Sequence, residues 1–225
     1  MRCYYDLHIH SVLSPCADVL MTPNNIFNMA MLKKLDIISV TDHNSLKQLE
    51  VCQELSKSYD FLFVPGVEVT VSEGFDVLIY FKNIEDALAF DLYLEKYLPK
   101  KTVDKNIYNE QTICDIYDQM IKTYPYLLSQ RLNLSFNKLF KKINQFEHVI
   151  FFAHVDRYKE LIKSWIEKYP NLGVEYKKHI LYKDKTYLIN SDSHQITDIL
   201  ERNENNYIEL KTLSIDCFFR YFNHG

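Results

Sequence analysis

The sequence predicts an α/β fold with a mainly parallel sheet, and three observations lead there. Short apolar, β-branched runs recur along its 225 residues, segments of helical period separate most of them, and no Gly/Ser linker or internal repeat divides the chain. In order, Cys3–Ile9 reads as a strand that runs straight into a polar cluster. Pro23–Lys34 carries Ile26, Met29 and Ala30 on one helical face, with Thr22 as N-cap and Pro23 at the first helical position. Asp36–Thr41 is a short strand of buried type, and Ser45 with Gln48 has capping-box spacing ahead of a helix through LKQLEVCQELSKS. Phe61–Val69 and Val77–Phe81 are the next strands, and Asn83–Leu98 is a helical segment closed by Pro99. Residues 100–133 are polar and lack a clean period, so they read as an excursion or hairpin-like insertion within one 1–225 unit. Pattern returns with helices at Ser135–Asn144 and Tyr158–Lys168, strands at His148–Ala153, Leu172–Tyr176 and Thr186–Asn190, a short run at Tyr207–Leu210, and a terminal helix at Ile215–Phe222.

Composition narrows the function. Hydrophobic residues make up 47% and charged residues 25%, which excludes disordered and fibrous classes. Lys and Arg number 26 against 30 Asp and Glu, a net charge of −4, which argues against a dedicated nucleic-acid binder. It leaves room for an enzyme that holds a short anionic substrate over metal ions. The five cysteines (3, 16, 52, 114 and 217) are odd in number and show no C-x-x-C spacing, which reads as reduced thiols and a cytoplasmic location. The N-terminal MRCYYDLHIH has no signal-peptide core, and no run approaches the ~18–20 apolar residues of a membrane span.

Chemistry gathers at strand ends. His8 and His10 close the first strand with Asp6 before them, and residues two apart on a strand share a face. Asp42 and His43 close the second, Glu68 lies near the end of the third, and Asp76 opens the fourth. His154 ends the run HVIFFA, and Asp192 and His194 follow TYLIN. Each alone reads equally well as a cap or turn residue. Together, five of eight histidines follow apolar strands beside a carboxylate or a second histidine, which points to a shared metal site. His148, His179 and His224 read as structural or exposed.

The ordered segments DLHIH (6–10), TDHN (41–44), PGVE (65–68), AHVDR (153–157) and SDSH (191–194) resemble the PHP (polymerase and histidinol phosphatase) domain family. LSPCAD (13–18) followed by MTPNNI (21–26) looks like its stand-alone bacterial phosphoesterases. The resemblance implies a distorted (β/α)7 TIM-like barrel with two or three divalent ions, Zn, Mn or Fe, at the C-terminal ends of the strands. It implies that His8, His10, Glu68 and Asp192 hold the first metal, Glu68 and His154 the second, and Asp18, His43 and His194 a third. Where the family has a histidine before the fourth strand, this chain has Asp76, which as an oxygen ligand would shift preference toward Mn or Fe. Asp42 reads as a ligand or as a partner that orients an imidazole.

The expected activity is metal-dependent hydrolysis of a small phosphomonoester, such as a nucleotide or histidinol phosphate, by a metal-bridging hydroxide. Arg157 is placed to contact phosphate, with Lys47 and Arg131 as weaker candidates. Asp192, His194 or a metal-bound water would protonate the leaving group. A nuclease-like phosphodiesterase or 3′–5′ exonuclease is the alternative, disfavoured by the acidic balance, and a non-catalytic metal-binding module is a third. Cys16, between two ligand segments, reads as a small residue packed under its loop.

Overall fold

A computed structural model of the chain describes residues 1–223, so His224 lies outside them. Strand β1 (Arg2–Ile9), helix α1 (Pro23–Leu32), strand β2 (Ile37–Val40) and helix α2 (Leu49–Ser56) follow the expected order. Strands β3 (Leu62–Phe63), β4 (Gly66–Thr70) and β5 (Asp76–Phe81) then lead into α3 (Ile84–Leu94). The excursion holds β6 (Thr112–Cys114) and β7 (Met120–Thr123). Helix α4 (Phe136–Ile143), β8 (His148–Phe152), α5 (Lys159–Lys168), β9 (Gly173–Tyr176), β10 (Tyr187–Ile189), β11 (Tyr207–Glu209) and α6 (Ile215–Asn223) complete the described chain. None of these helices is long and apolar enough to cross a membrane.

The TIM-like barrel is not what the chain forms. The strands make separate mixed sheets, one ordered β11-β1-β2-β3, one ordered β10-β9-β8-β5-β4, and the β6-β7 ribbon, and none closes on itself. Two local features explain the difference. Pro65 interrupts the run Phe61–Val69, so that β3 pairs parallel with β2 while β4 joins the other sheet. The connection from β4 to β5 is only Val71–Phe75, with Gly74 at φ +92° making the turn. A parallel return needs a crossover of a dozen residues or more, so β4 and β5 pair antiparallel, and β5 pairs antiparallel with β8 as well.

Strand alternation sorts the side chains into two cores. Cys3, Tyr5 and Leu7 of β1, Leu78 and Tyr80 of β5, and Val149 and Phe151 of β8 share one cluster, which Phe218 and Phe219 of α6 join. Val77, Ile79, Phe81, Ile150 and Phe152 belong to a second cluster with Ile26, Phe27 and Ala30 of α1 and Ala87, Phe90 and Leu94 of α3. Strands β5 and β8 are thus apolar on both faces, as a sheet covered on both sides requires.

Helix α2 starts later than the sequence suggests. Its capping box does not form: Gln48 instead donates to the Cys114 carbonyl at 3.1 Å and accepts the Cys114 N–H at 3.0 Å, stapling the β6-β7 ribbon to α2. Thr22 does occupy the N-cap of α1, but its hydroxyl bonds Asp118 at the ribbon turn.

Two isolated parallel bridges position the site. Ile9 pairs with Ser193, and His43 with Glu68. The first brings the end of β1 against the segment after β10, with His10 N–H donating to the Ser193 carbonyl at 3.0 Å. The second brings the end of β2 onto β4, with Asn44 N–H donating to the Glu68 carbonyl at 2.7 Å. Asn44 also donates from Nδ2 to the Leu128 and Gln130 carbonyls and accepts the Thr70 N–H, so the end of the excursion is tied to the same corner.

Candidate metal centre

Glu68, fully buried on β4, stands at the middle of the converging strand ends. Its Oε1 lies 3.0 Å from His154 Nε2 and 3.4 Å from His8 Nε2. Its Oε2 lies 2.7 Å from His43 Nδ1 and 3.5 Å from His10 Nε2. Asp192 faces it across the imidazoles, with Oδ1 3.3 Å from His10 Nε2 and 3.6 Å from His8 Nε2. The His194 ring stacks on His10 with centroids 4.3 Å apart. His8, His10, His43, Glu68, His154, Asp192 and His194, read from five separate segments, therefore meet in one place.

The tautomers follow from the outer partners. His8 Nδ1 faces Glu175 Oε1 at 3.0 Å, and an ionised carboxylate only accepts, so the proton sits on Nδ1. His10 Nδ1 faces Ser14 Oγ at 2.9 Å, and Ser14 gives its own proton to Asp42 at 2.7 Å, so His10 also carries its proton on Nδ1. While His8 is protonated its Nε2–H donates to His10 Nε2 at 3.2 Å; once it is neutral the two Nε2 lone pairs oppose each other. Two acceptors that close repel unless a proton or a cation lies between them. Among buried atoms, His43 Nδ1, Glu68 Oε2 and Asp76 Oδ1 have no hydrogen-bond partner, although His43 and Glu68 are close. Lone pairs aimed inward and orphaned carboxylate oxygens fit divalent cations, and a Glu behind a ligating imidazole is the usual supporting arrangement.

Charge supports the same fit. Burial opposes ionisation of Glu68, yet His43 and His8 outweigh it and hold its carboxyl well below the usual carboxylate range. Asp192 is likewise pulled far down, burial being overcome by hydrogen bonding to His10 and the charge of His8. Burial lowers His154, but Glu175 and Glu68 lift it to about 9. His10 is driven well below its ordinary value by burial and by His43. His154 and Asp192 both adopt left-handed backbone, at φ 49° and 51°, as does Asn44 next to His43, a conformation costly for non-glycine residues.

The remaining expected residues divide. Asp76 on β5 groups with Glu68 and His154, its Oδ2 accepting from the Tyr158 hydroxyl at 3.0 Å. Asp42 accepts from Ser11 and Ser14, and so acts on His10 through Ser14. Asp18, like Cys16, belongs to none of the four ligand groups found among the described residues; its Oδ1 caps the Leu20 N–H at 2.8 Å. Cys16 does not pack under its loop: it is exposed, with Sγ 3.1 Å from His194 Nε2. Arg157 lines a cavity of about 300 Å³ beside the cluster with His154, Asp156, Lys177, Lys178 and Asp192. Lys47 is engaged by Asp91 and Glu95, and the Arg131 guanidinium packs over Gly74.

Sequence reading missed Glu175 and Lys177. Glu175 is fully buried on β9, accepting from His8 Nδ1 and from the His154 N–H at 2.8 Å. Its signal was an acidic residue inside the apolar run LGVEY. Lys177 Nζ lies 3.6 Å from Asp192 Oδ2, and only the doublet Lys177-Lys178 after β9 hinted at it.

The fold is shared with solved proteins that are described as hydrolases. The lesion-specific endonuclease Q of Pyrococcus furiosus superposes over 100% of this chain with a TM-score of 0.72 at 22% identity. An amidohydrolase from Chromobacterium violaceum, solved with bound sulfate and no metal, superposes over 94% of this chain and 93% of its own with a TM-score of 0.61 at 16% identity. A Bifidobacterium adolescentis protein described as a metal-dependent phosphoesterase gives 0.56 over 98% and 96% at 14% identity. In sequence, an uncharacterised protein of Methanocaldococcus jannaschii is 30% identical over 77 residues, 31% of this chain. The chain spans 45% of that protein and 57% of the Pyrococcus endonuclease. No protein-family profile matches the sequence.

Proposed function

We propose that this chain is a metal-dependent phosphoesterase. The observation that carries the reading is the convergence of imidazole lone pairs and unpartnered carboxylate oxygens beside a cavity lined by Arg157, Lys177 and Lys178. His8, His10, Glu68 and Asp192 would hold one divalent ion, and Glu68, Asp76 and His154 a second. Such ions bring water ionisation near neutral pH and offset charge on a phosphoryl group.

The protein's own groups supply the rest. Glu175 keeps the proton of His8 on Nδ1, and Ser14 with Asp42 does so for His10, so each presents Nε2 inward. Arg157, stacked over the Tyr158 ring at 5.3 Å, presents a planar fork to phosphate oxygens. Lys177, half-exposed at the cavity wall, neutralises charge on the leaving side. Asp192, with Oδ1 beside His10 and His8 and Oδ2 beside Lys177, faces cationic groups on both oxygens, which suits it to holding metal better than to donating a proton.

Two ester classes fit. The cavity is at the small end of small-molecule sites, which suits a phosphomonoester. The similarity to endonuclease Q, which has been solved with a duplex bearing an abasic lesion, favours a phosphodiester in DNA as the second reading. Turnover of p-nitrophenyl phosphate, bis-p-nitrophenyl phosphate and an abasic duplex by metal-loaded protein distinguishes them. Hydrolysis of the monoester, abolished by chelator and lowered about 10²-fold or more by Arg157→Ala, is the expected result. Diester-only turnover would select the second reading, and metal binding without turnover of any ester would sink both.

A further inference from the structure

The turn between β1 and α1 carries a sulfur to the rim of the metal centre. Cys16 Sγ lies 3.1 Å from His194 Nε2, whose ring centroid is 6.1 Å from that of His43. His194 Nδ1 faces the Asp192 carbonyl at 3.0 Å, an acceptor only, so its proton sits there and Nε2 offers a lone pair toward the sulfur. Ring nitrogens of His10, His43 and His194 lie within 4.8 Å of one another. Fully buried Glu68 holds His43 from the other side, its Oε2 2.7 Å from His43 Nδ1, so that the second ring nitrogen of His43 is left for a ligand.

The position of the sulfur is built rather than incidental. Ala17 N–H donates to the Ser14 carbonyl at 3.0 Å, closing the turn. Asn109 from the excursion then grips both neighbours of Cys16, its N–H donating to the Pro15 carbonyl at 2.9 Å and its Nδ2 to the Ala17 carbonyl at 2.7 Å. Asp18, two residues on, caps the Leu20 N–H with Oδ1, and its own N–H donates to the His194 carbonyl at 2.8 Å, tying the turn to His194.

We propose that Cys16, with His43 and His194, binds a soft divalent cation as a third metal site, a thiolate standing where the resemblance implies Asp18. The inference rests on the metal-dependent reading above and names the ligand that sets this ion's identity. On coordination the S–H bond gives its proton to solvent, the sulfur lone pair forms the bond to the ion, and a hydration water departs; nothing is oxidised or reduced. Sulfur with imidazole selects Zn or Fe(II) over Mn or Mg, whereas the carboxylate-rich pair around Glu68 and Asp76 accepts Mn. The centre therefore takes a mixed complement, with the soft ion at Cys16.

Cobalt(II) substitution tests this without relying on catalysis. Wild-type protein should show a near-ultraviolet sulfur-to-cobalt charge-transfer band. Cys16→Ser should lose the band and one bound ion by elemental analysis, its affinity for that ion falling at least about tenfold, since even residues that only orient ligands cost that much. Asp18→Asn should keep both band and ion, and circular dichroism should show the fold intact in each. A band that persists in Cys16→Ser, or an ion lost from Asp18→Asn but not from Cys16→Ser, would overturn the assignment while leaving the phosphoesterase reading standing. Failure of every form to bind cobalt would overturn both.

Discussion

At the scale of single residues, Glu175 shows how much of a metal site lies behind its ligands. It accepts from the His8 imidazole on β1 and from the His154 backbone N–H just past β8, and fixes the proton of the first. Glu175→Gln keeps the volume but turns an amide N–H₂ toward one of those donors. The expected outcome is a 10–100-fold loss of metal affinity with the fold retained, measured by competition with a chromophoric chelator. Unchanged affinity would mean that His8 is held by β1 alone. Proton inventory gives a second residue-level test. His8, His43 and His154 all have raised pKa values in the metal-free cluster, in each case because neighbouring carboxylates outweigh burial. An ion needs neutral imidazole, so loading at neutral pH should release protons, read as acidification of a weakly buffered titration. An absence of released protons would show that the imidazoles are neutral before the metal arrives.

At the scale of elements, the excursion is more than a surface decoration. Gln48 pairs with both backbone groups of Cys114, and Asn109 holds the Cys16 turn, so the β6-β7 ribbon is fixed to α2 at one end and to the metal centre at the other. Gln48→Ala leaves the buried carbonyl and N–H of Cys114 unpaired, a cost of about 1–3 kcal/mol. Amide exchange across 112–123 should accelerate while that of β8 stays slow; uniform acceleration would point to global loss instead. The sequence disclosed most strands because apolar runs ending in His or Asp are bounded on both sides, as in β1, β2 and β8. It could not disclose how they pair. Pro65 and the short Val71–Phe75 link decide that, and a strand's direction leaves no mark on its own pattern. Glu175 stayed hidden for a related reason: a lone Glu in LGVEY faces solvent or core with equal ease until its neighbours are placed.

At the scale of the whole molecule, the centre is also the stitch between the two larger sheets, since the bridges Ile9–Ser193 and His43–Glu68 flank it. Stability and metal binding must therefore be linked. In metal-free protein, His154 rises from 6.5 to about 9 through Glu175 and Glu68 against burial. A raised folded-state value means that protonated His154 stabilises the fold fully below pH 6.5, and that this contribution fades as pH climbs through about 9. Metal binding runs the other way, because each proton the ion must displace weakens it by about 1.4 kcal/mol per pH unit below the group's pKa. At a free-ion concentration of ~100 Kd, loading adds about 2.7 kcal/mol to unfolding. The gap in Tm between metal-loaded and chelator-treated protein should accordingly widen from pH 6.5 toward pH 9 at constant free metal, with His154→Asn flattening the trend. A constant gap would mean that the imidazoles are already neutral when the ion binds, and no gap at any pH would mean that they bind no ion.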